Sequence, residues 1–123
     1  MSKIAIVEDD QAIREMYRIK FKAEGHSVIL AENGKRGLEI AEAEKPDIIL
    51  LDLMMPEMTG EQMLTAMRKT DWGKKIKVVI LTNVTKDEAA EGLAKLDVED
   101  YIIKAFYTPQ QVIDMVETIL KRK

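Results

Sequence analysis

A chain of 123 residues, 46% hydrophobic and 33% charged, is long enough for one domain with a real core and too apolar to be a disordered tail. Its net charge of -3 argues against a general nucleic-acid surface, which carries a basic patch large enough to show in the total; Lys121 to Lys123 read as a solvated terminus. There is no cysteine, so disulfides and thiolate metal sites are excluded, and the opening MSKIAIVEDD meets its acids too early for a signal peptide or a membrane span, so a cytoplasmic protein is expected.

KIAIV, residues 3–7, reads as a short buried strand. QAIREMYRIKFKAEG follows as a helix with apolar Ile13, Met16, Tyr17, Ile19 and Phe21, capped at its start by Asp10 and stopped at Gly25. SVILA is a second strand, GKRGLEIAEAE a second helix closed off by Pro46, and DIILL the third and most apolar strand. After DLMMPEMTG, Thr59 and Gln62 form a capping box for a third helix running to about Lys69. KVVIL is the fourth strand. DEAAEGLAKL, residues 87–96, is expected as a fourth helix, softened by an interior Gly92 that costs about 1 kcal/mol against alanine. DYII is a short fifth strand, and the fifth helix starts at TPQQV, with Thr108 as cap, Pro109 at the first helical position and Gln111 completing a second capping box. The eight methionines are expected mostly to fill core gaps and helix faces.

Strands joined by helices must run parallel, and strands apolar along their whole length are covered on both faces. Right-handed crossovers then give a doubly wound α/β sheet, whose ligands bind beyond the carboxyl ends of the strands. Those ends hold Glu8, Asp9 and Asp10 after the first strand, Asp52 after the third, Thr82 after the fourth and Lys104 after the fifth; the second ends in Ala31. Each residue has an ordinary use: Asp10 as a helix cap, Glu8 and Asp9 as turn residues, Thr82 as a turn hydroxyl and Lys104 as a surface charge. Together they need another account, because carboxylates gathered at one edge repel each other unless a cation neutralises them. Mg²⁺ suits such an open site, held by one or two carboxylates and keeping waters and a phosphoryl oxygen. A carboxylate beside it can act as a nucleophile, forming an aspartyl phosphate, with Lys104 and Thr82 offsetting the charge on the transferring group. That accounts for Asp52, an acid that ends a buried run and so needs a partner.

The motif KPDIILLDLMMPEMTG, with VEDD, VVILT and DYIIKAF in this order and spacing, resembles the receiver domain of two-component response regulators over the whole chain, residues 1–123. The resemblance implies a flavodoxin-like, doubly wound five-stranded parallel sheet of order 2-1-3-4-5 with five helices. It implies Asp52 as phosphoacceptor, Asp9 as a direct Mg²⁺ ligand, Glu8 as an acid acting through water, and the backbone carbonyl of Met54 as a further ligand. It also implies that Thr82 and Lys104 contact the phosphoryl group and that Tyr101 is the aromatic that changes rotamer with it. Three positions depart from the family pattern. Asn83 stands where a small residue is usual, and either crowds the site's entrance or adds a hydrogen bond to the phosphate. Ala105 follows Lys104 where a cis proline is usual; a non-proline cis bond costs about 2.5–4 kcal/mol, so a trans bond is expected. Asp97 replaces a common glycine before the fifth strand and touches the turn.

The function expected from this resemblance is a phosphorylation-controlled switch. It takes a phosphoryl group from a sensor histidine kinase or phosphotransfer protein, catalyses only its own phosphorylation and dephosphorylation, and presents an altered face of helix four, strand five and helix five to a downstream protein. Neither nucleic acid nor membrane is expected as a direct partner. A degenerate receiver acting as a constitutive interaction module is the alternative, suggested by Asn83 and Ala105 and opposed by the intact acids, threonine and lysine. A phosphatase of the haloacid dehalogenase type is disfavoured, because its second aspartate would fall where Met54 stands. The start at Met1 and the charged end LKRK favour a stand-alone receiver over a fragment of a longer regulator. Trp72, between the third helix and the fourth strand, is expected at the opposite edge of the sheet from the site.

Overall fold

The computed structural model describes residues 1–85 and 91–122. In chain order these form β1 (Lys3–Val7), α1 (Gln11–Ala23), β2 (Ser27–Ala31), α2 (Gly34–Glu44), β3 (Ile48–Leu51), α3 (Gly60–Arg68) and β4 (Lys77–Thr82). A 3₁₀ helix (Glu91–Leu96), β5 (Asp100–Ile103), a second 3₁₀ turn (Lys104–Phe106) and α4 (Pro109–Lys121) complete them. The strands pair in parallel in the order β2-β1-β3-β4-β5, as the resemblance implies.

The pleat sends alternate side chains to opposite faces, so each strand feeds two cores. Ala5, Val7, Ile49, Leu51, Val78 and Ile80 meet α2 and α3 through Ile40, Ala41, Met63, Leu64 and Met67. Ile4, Ile6, Ile48, Leu50, Val79 and Leu81 meet α1 and α4 through Tyr17, Phe21, Val112, Ile113, Val116 and Ile119. Two-sided burial is why these strands read as unbroken apolar runs. Met63 and Met67 are fully buried, whereas Met1 and Met54 are exposed.

The helix ends follow their local chemistry. Asp10 accepts from the Ile13 N–H at 3.0 Å, and both capping boxes, Thr59 with Gln62 and Thr108 with Gln111, are closed in each direction. Gly25 takes a φ of 93°, in the left-handed region that ends a helix at little cost for glycine. Asn33 caps α2 by accepting from the Arg36 N–H at 2.8 Å.

The expected count of five helices is corrected to four α-helices among the described residues. Of the segment 87–96, residues 87–90 lie outside the described residues, and Glu91–Leu96 winds as a 3₁₀ helix. Its residues are good helix formers, but the interior Gly92 weakens the α-helical preference, and such tight turns are common as connectors. The end of this segment is held by Arg68 of α3. That guanidinium donates to the carbonyls of Leu96 and Asp97 at 2.8 Å each, and to Gly73 and Ile76 at 2.8 and 2.7 Å. Asp97 sits at a φ of 57°, a conformation that aspartate tolerates better than most residues. Among the described residues, no helix is long and apolar enough to cross a membrane.

Candidate functional site

Asp52 is the first residue past β3, and its N–H donates to the Val7 carbonyl at 3.0 Å, continuing the ladder by one step. That places a carboxyl only 6% exposed at the carboxyl edge of the sheet. Its Oδ1 accepts from the Met54 N–H at 3.2 Å and its Oδ2 from Lys104 Nζ at 3.0 Å. Gly60, at the start of α3, packs on the same backbone: a Cβ there would lie 2.2 Å from the Asp52 carbonyl oxygen, so only glycine lets the helix approach this closely.

Glu8 extends β1 in the same way, donating its N–H to the Ala31 carbonyl at 3.0 Å. Its Oε2 accepts from the Asp10 N–H at 3.2 Å, and its Oε1 from Lys104 Nζ. Arg14 braces the acidic turn, donating to the Glu8 carbonyl at 2.7 Å and the Asp9 carbonyl at 3.2 Å. Asp9 is exposed, and one carboxylate oxygen from each of Glu8, Asp9 and Asp52 lies within 4.8 Å of the others.

Burial pushes the Glu8 carboxyl up to about 7, although the Lys104 ammonium and the Asp10 N–H both work to lower it. Burial works to lower Lys104 too, but its bond to Glu8 and the charge of Asp52 outweigh that and raise it. A cavity of about 10 Å³, barely room for one water, lies against Glu8 and Asp52 and is lined mostly by apolar residues, among them Ile6, Ile13, Tyr17 and Leu50. Burial and the nearby charge of Glu8 push the Tyr17 phenol up to about 12. The site thus holds three carboxylates against one ammonium, with two of the acids largely withdrawn from water. Oxygen donors of this kind fit a hard divalent cation such as Mg²⁺.

Thr82 is fully buried at the end of β4, and its hydroxyl accepts from the Val84 N–H at 3.3 Å. Tyr101, half-buried on β5, donates its hydroxyl to the Val84 carbonyl. The two are therefore joined through the backbone of one residue, Val84, a link absent from the sequence reading. Asn83 is exposed, and its Oδ1 accepts from the Ala105 N–H at 3.2 Å. Every peptide bond among the described residues is trans, Lys104–Ala105 included. Met54 is 66% exposed at the rim, and Trp72 packs partly buried against the core near the start of β4. Glu8, Asp9, Asp52, Thr82 and Lys104 thus all come to one edge of the sheet. Arg14, Val84 and the pairing of Asn83 with Ala105 went unread, because bonds from a side chain to the backbone follow no apolar period or capping spacing.

The family model described as the response regulator receiver domain matches residues 4–117, and the chain belongs to that family. It is 34% identical over 122 residues to the alkaline phosphatase synthesis transcriptional regulatory protein PhoP of Bacillus subtilis, covering 98% of this chain and 49% of that protein. The chain spans about half the length of the curated relatives it matches. Among solved structures, the Francisella response regulator 1452 receiver domain superposes with a TM-score of 0.86 at 28% identity, covering 99% of this chain and 98% of that one. Response regulator protein TrrA of Thermotoga maritima, in complex with Mg²⁺-BeF, gives a TM-score of 0.82 at 25% identity, covering 97% and 99% of the two chains.

Proposed function

We propose that this receiver is a cytoplasmic signalling switch that accepts a phosphoryl group on Asp52 from a sensor histidine kinase or phosphotransfer protein. The observation that carries this reading is the setting of Asp52: a nearly buried carboxyl sharing the Lys104 ammonium with Glu8, with Asp9 beside them. A carboxylate oxygen of Asp52 attacks phosphorus, a P–O bond forms, and the bond to the donor's nitrogen or oxygen breaks, the donor leaving with the electron pair. Glu8, Asp9, Asp52 and the Met54 carbonyl would hold Mg²⁺, which supplies positive charge against the phosphoryl oxygens. Lys104 exchanges its contact with the Asp52 carboxylate for one with a phosphoryl oxygen. Water later returns Asp52 to the free acid, so the catalysis acts on the chain itself.

The response passes through Thr82. When its hydroxyl turns to the phosphoryl group, the Val84 N–H loses its acceptor. Tyr101, bonded to the carbonyl of the same residue, shifts with it. The face made by the Glu91–Leu96 segment, β5 and α4 then changes toward a downstream protein partner. A net charge of -3 supports protein over nucleic acid or membrane as the direct contact of this unit. The mass of the native gene product separates a stand-alone receiver from the receiving half of a longer regulator.

Acetyl phosphate with Mg²⁺ should add one phosphoryl group by mass spectrometry, beryllofluoride should mimic it, and Asp52→Asn should block both. Undiminished, acid-stable labelling of the Asn variant would remove Asp52 from this role. A wild-type chain that takes neither label nor mimic would favour the constitutive interaction module.

A further inference from the structure

The β4–β5 ladder runs to the pair Thr82 and Ile103. Just beyond it, Asn83 and Ala105 are joined by the bond from the Ala105 N–H to Asn83 Oδ1. Two departures from the family pattern are thus one contact: a proline at 105 would have no N–H to give. Lys104–Phe106 form a 3₁₀ turn whose own cap position, Ile103, provides no side-chain acceptor. An asparagine at the cap position commonly accepts from the second or third N–H of a helical turn, and here Asn83, one residue past β4, makes that kind of bond from across the ladder. Only the amide oxygen can accept from an N–H, so the chemistry also fixes which way the Asn83 amide faces. Lys104 therefore has one flanking residue in the ladder and the other on this bond.

We propose that Asn83 is a positioning residue for Lys104, acting through the Ala105 N–H to cap the turn that carries the lysine. The proposal rests on the reading of Asp52 as phosphoacceptor, and it assigns Asn83 a supporting role where crowding of the entrance would give it an obstructing one. The contact is exposed and 3.2 Å long, so its share is modest.

The test is a double-mutant cycle with two readouts: the rate of Asp52 labelling by acetyl phosphate with Mg²⁺, and exchange of the Ala105 N–H by NMR in the metal-free chain. Asn83→Ala and Ala105→Pro should each slow labelling roughly three- to fivefold, the size of one hydrogen bond, and the double variant should be no slower than either. Ala105→Gly, which keeps the N–H, should recover most of the rate lost in Ala105→Pro. Exchange at Ala105 should speed up by a similar factor in Asn83→Ala. Multiplying losses would overturn the proposal, as would faster labelling of Asn83→Ala with Ala105 exchange unchanged. A wild-type chain that fails to label strikes the acceptor reading instead; the exchange arm then decides alone, faster exchange in Asn83→Ala supporting the cap and unchanged exchange refuting it.

Discussion

Replacing Lys104 by methionine keeps a long flexible side chain and removes its charge. In the folded chain Lys104 Nζ lies 3.0 Å from Asp52 Oδ2 and also donates to Glu8, with side-chain exposures of 18%, 7% and 5% for Lys104, Asp52 and Glu8. Removing one partner from such a buried arrangement costs about 3–5 kcal/mol, because the remaining charges have lost both water and counter-ion. Protonation of Glu8 relieves part of that cost. Burial already holds this acid up at about 7 with the lysine present, and its loss removes a lowering influence. A carboxyl whose folded value is raised binds more protons when folded, so its contribution to stability is full below the ordinary value of 4.5 and is lost as pH rises through the folded value. In Lys104→Met the folded value moves above about 7, and because the wild-type acid is itself mostly protonated at pH 5.5 the penalty grows by no more than about 1.4 kcal/mol up to pH 8, from about 2–4 kcal/mol to about 3–5 kcal/mol. Urea midpoints followed by Trp72 fluorescence, with an unchanged slope, measure it. Mg²⁺ at a hundredfold excess over its dissociation constant adds about 2.7 kcal/mol to a chain that binds it only when folded. At equal free Mg²⁺ the variant should gain more than the wild type, since the cation would offset carboxylates that have lost the ammonium. Equal losses at pH 5.5 and pH 8, or a larger gain in the wild type, would refute this electrostatic account.

Asp9→Asn is expected to weaken Mg²⁺ binding more than Glu8→Gln, since the exposed acid should touch the ion and the buried one act through water; equal impairment in a titration would dissolve that distinction. Beryllofluoride with Mg²⁺ is expected to alter amide protection in residues 83–108, judged on 83–85 and 91–108, more than in residues 26–45, while Trp72 fluorescence changes little. A uniform response would break the path from Thr82 through Val84 to Tyr101.

The strands were legible because each is buried on both faces and cut off by a turn signal; KIAIV, SVILA and DYII match β1, β2 and β5 residue for residue. The caps at Asp10, Thr59 and Thr108 were legible because capping is local chemistry over three residues. The residues at the site's edge followed from topology, since parallel strands must end together. Within the expected fourth helix, the described Glu91–Leu96 winds 3₁₀ where an α-helix was read, because glutamate, leucine, alanine and lysine favour helical backbone without deciding between i to i+3 and i to i+4 bonding, and Gly92 weakens the α-helical choice. The sharing of Lys104 between two acids, and the reach of Arg68 to the carbonyls of Leu96 and Asp97, depend on residues up to 96 positions apart and leave no mark on local sequence.

The tight seat of Gly60 has a consequence for how strain can spread from the site. A methyl group at this position would collide with the Asp52 carbonyl and the Leu53 Cα, at 2.2 and 2.9 Å, so the start of α3 acts as a wedge driven against the backbone of Asp52 itself. The Asp52 N–H is bonded to β1, and the Gly60 N–H to the Leu53 carbonyl at 3.1 Å. On that flank the backbone of Asp52 is bolted to an anvil. Any bulk added to the Asp52 carboxyl would then be taken up on the side of Lys104, whose long side chain reaches Asp52 Oδ2 and can swing.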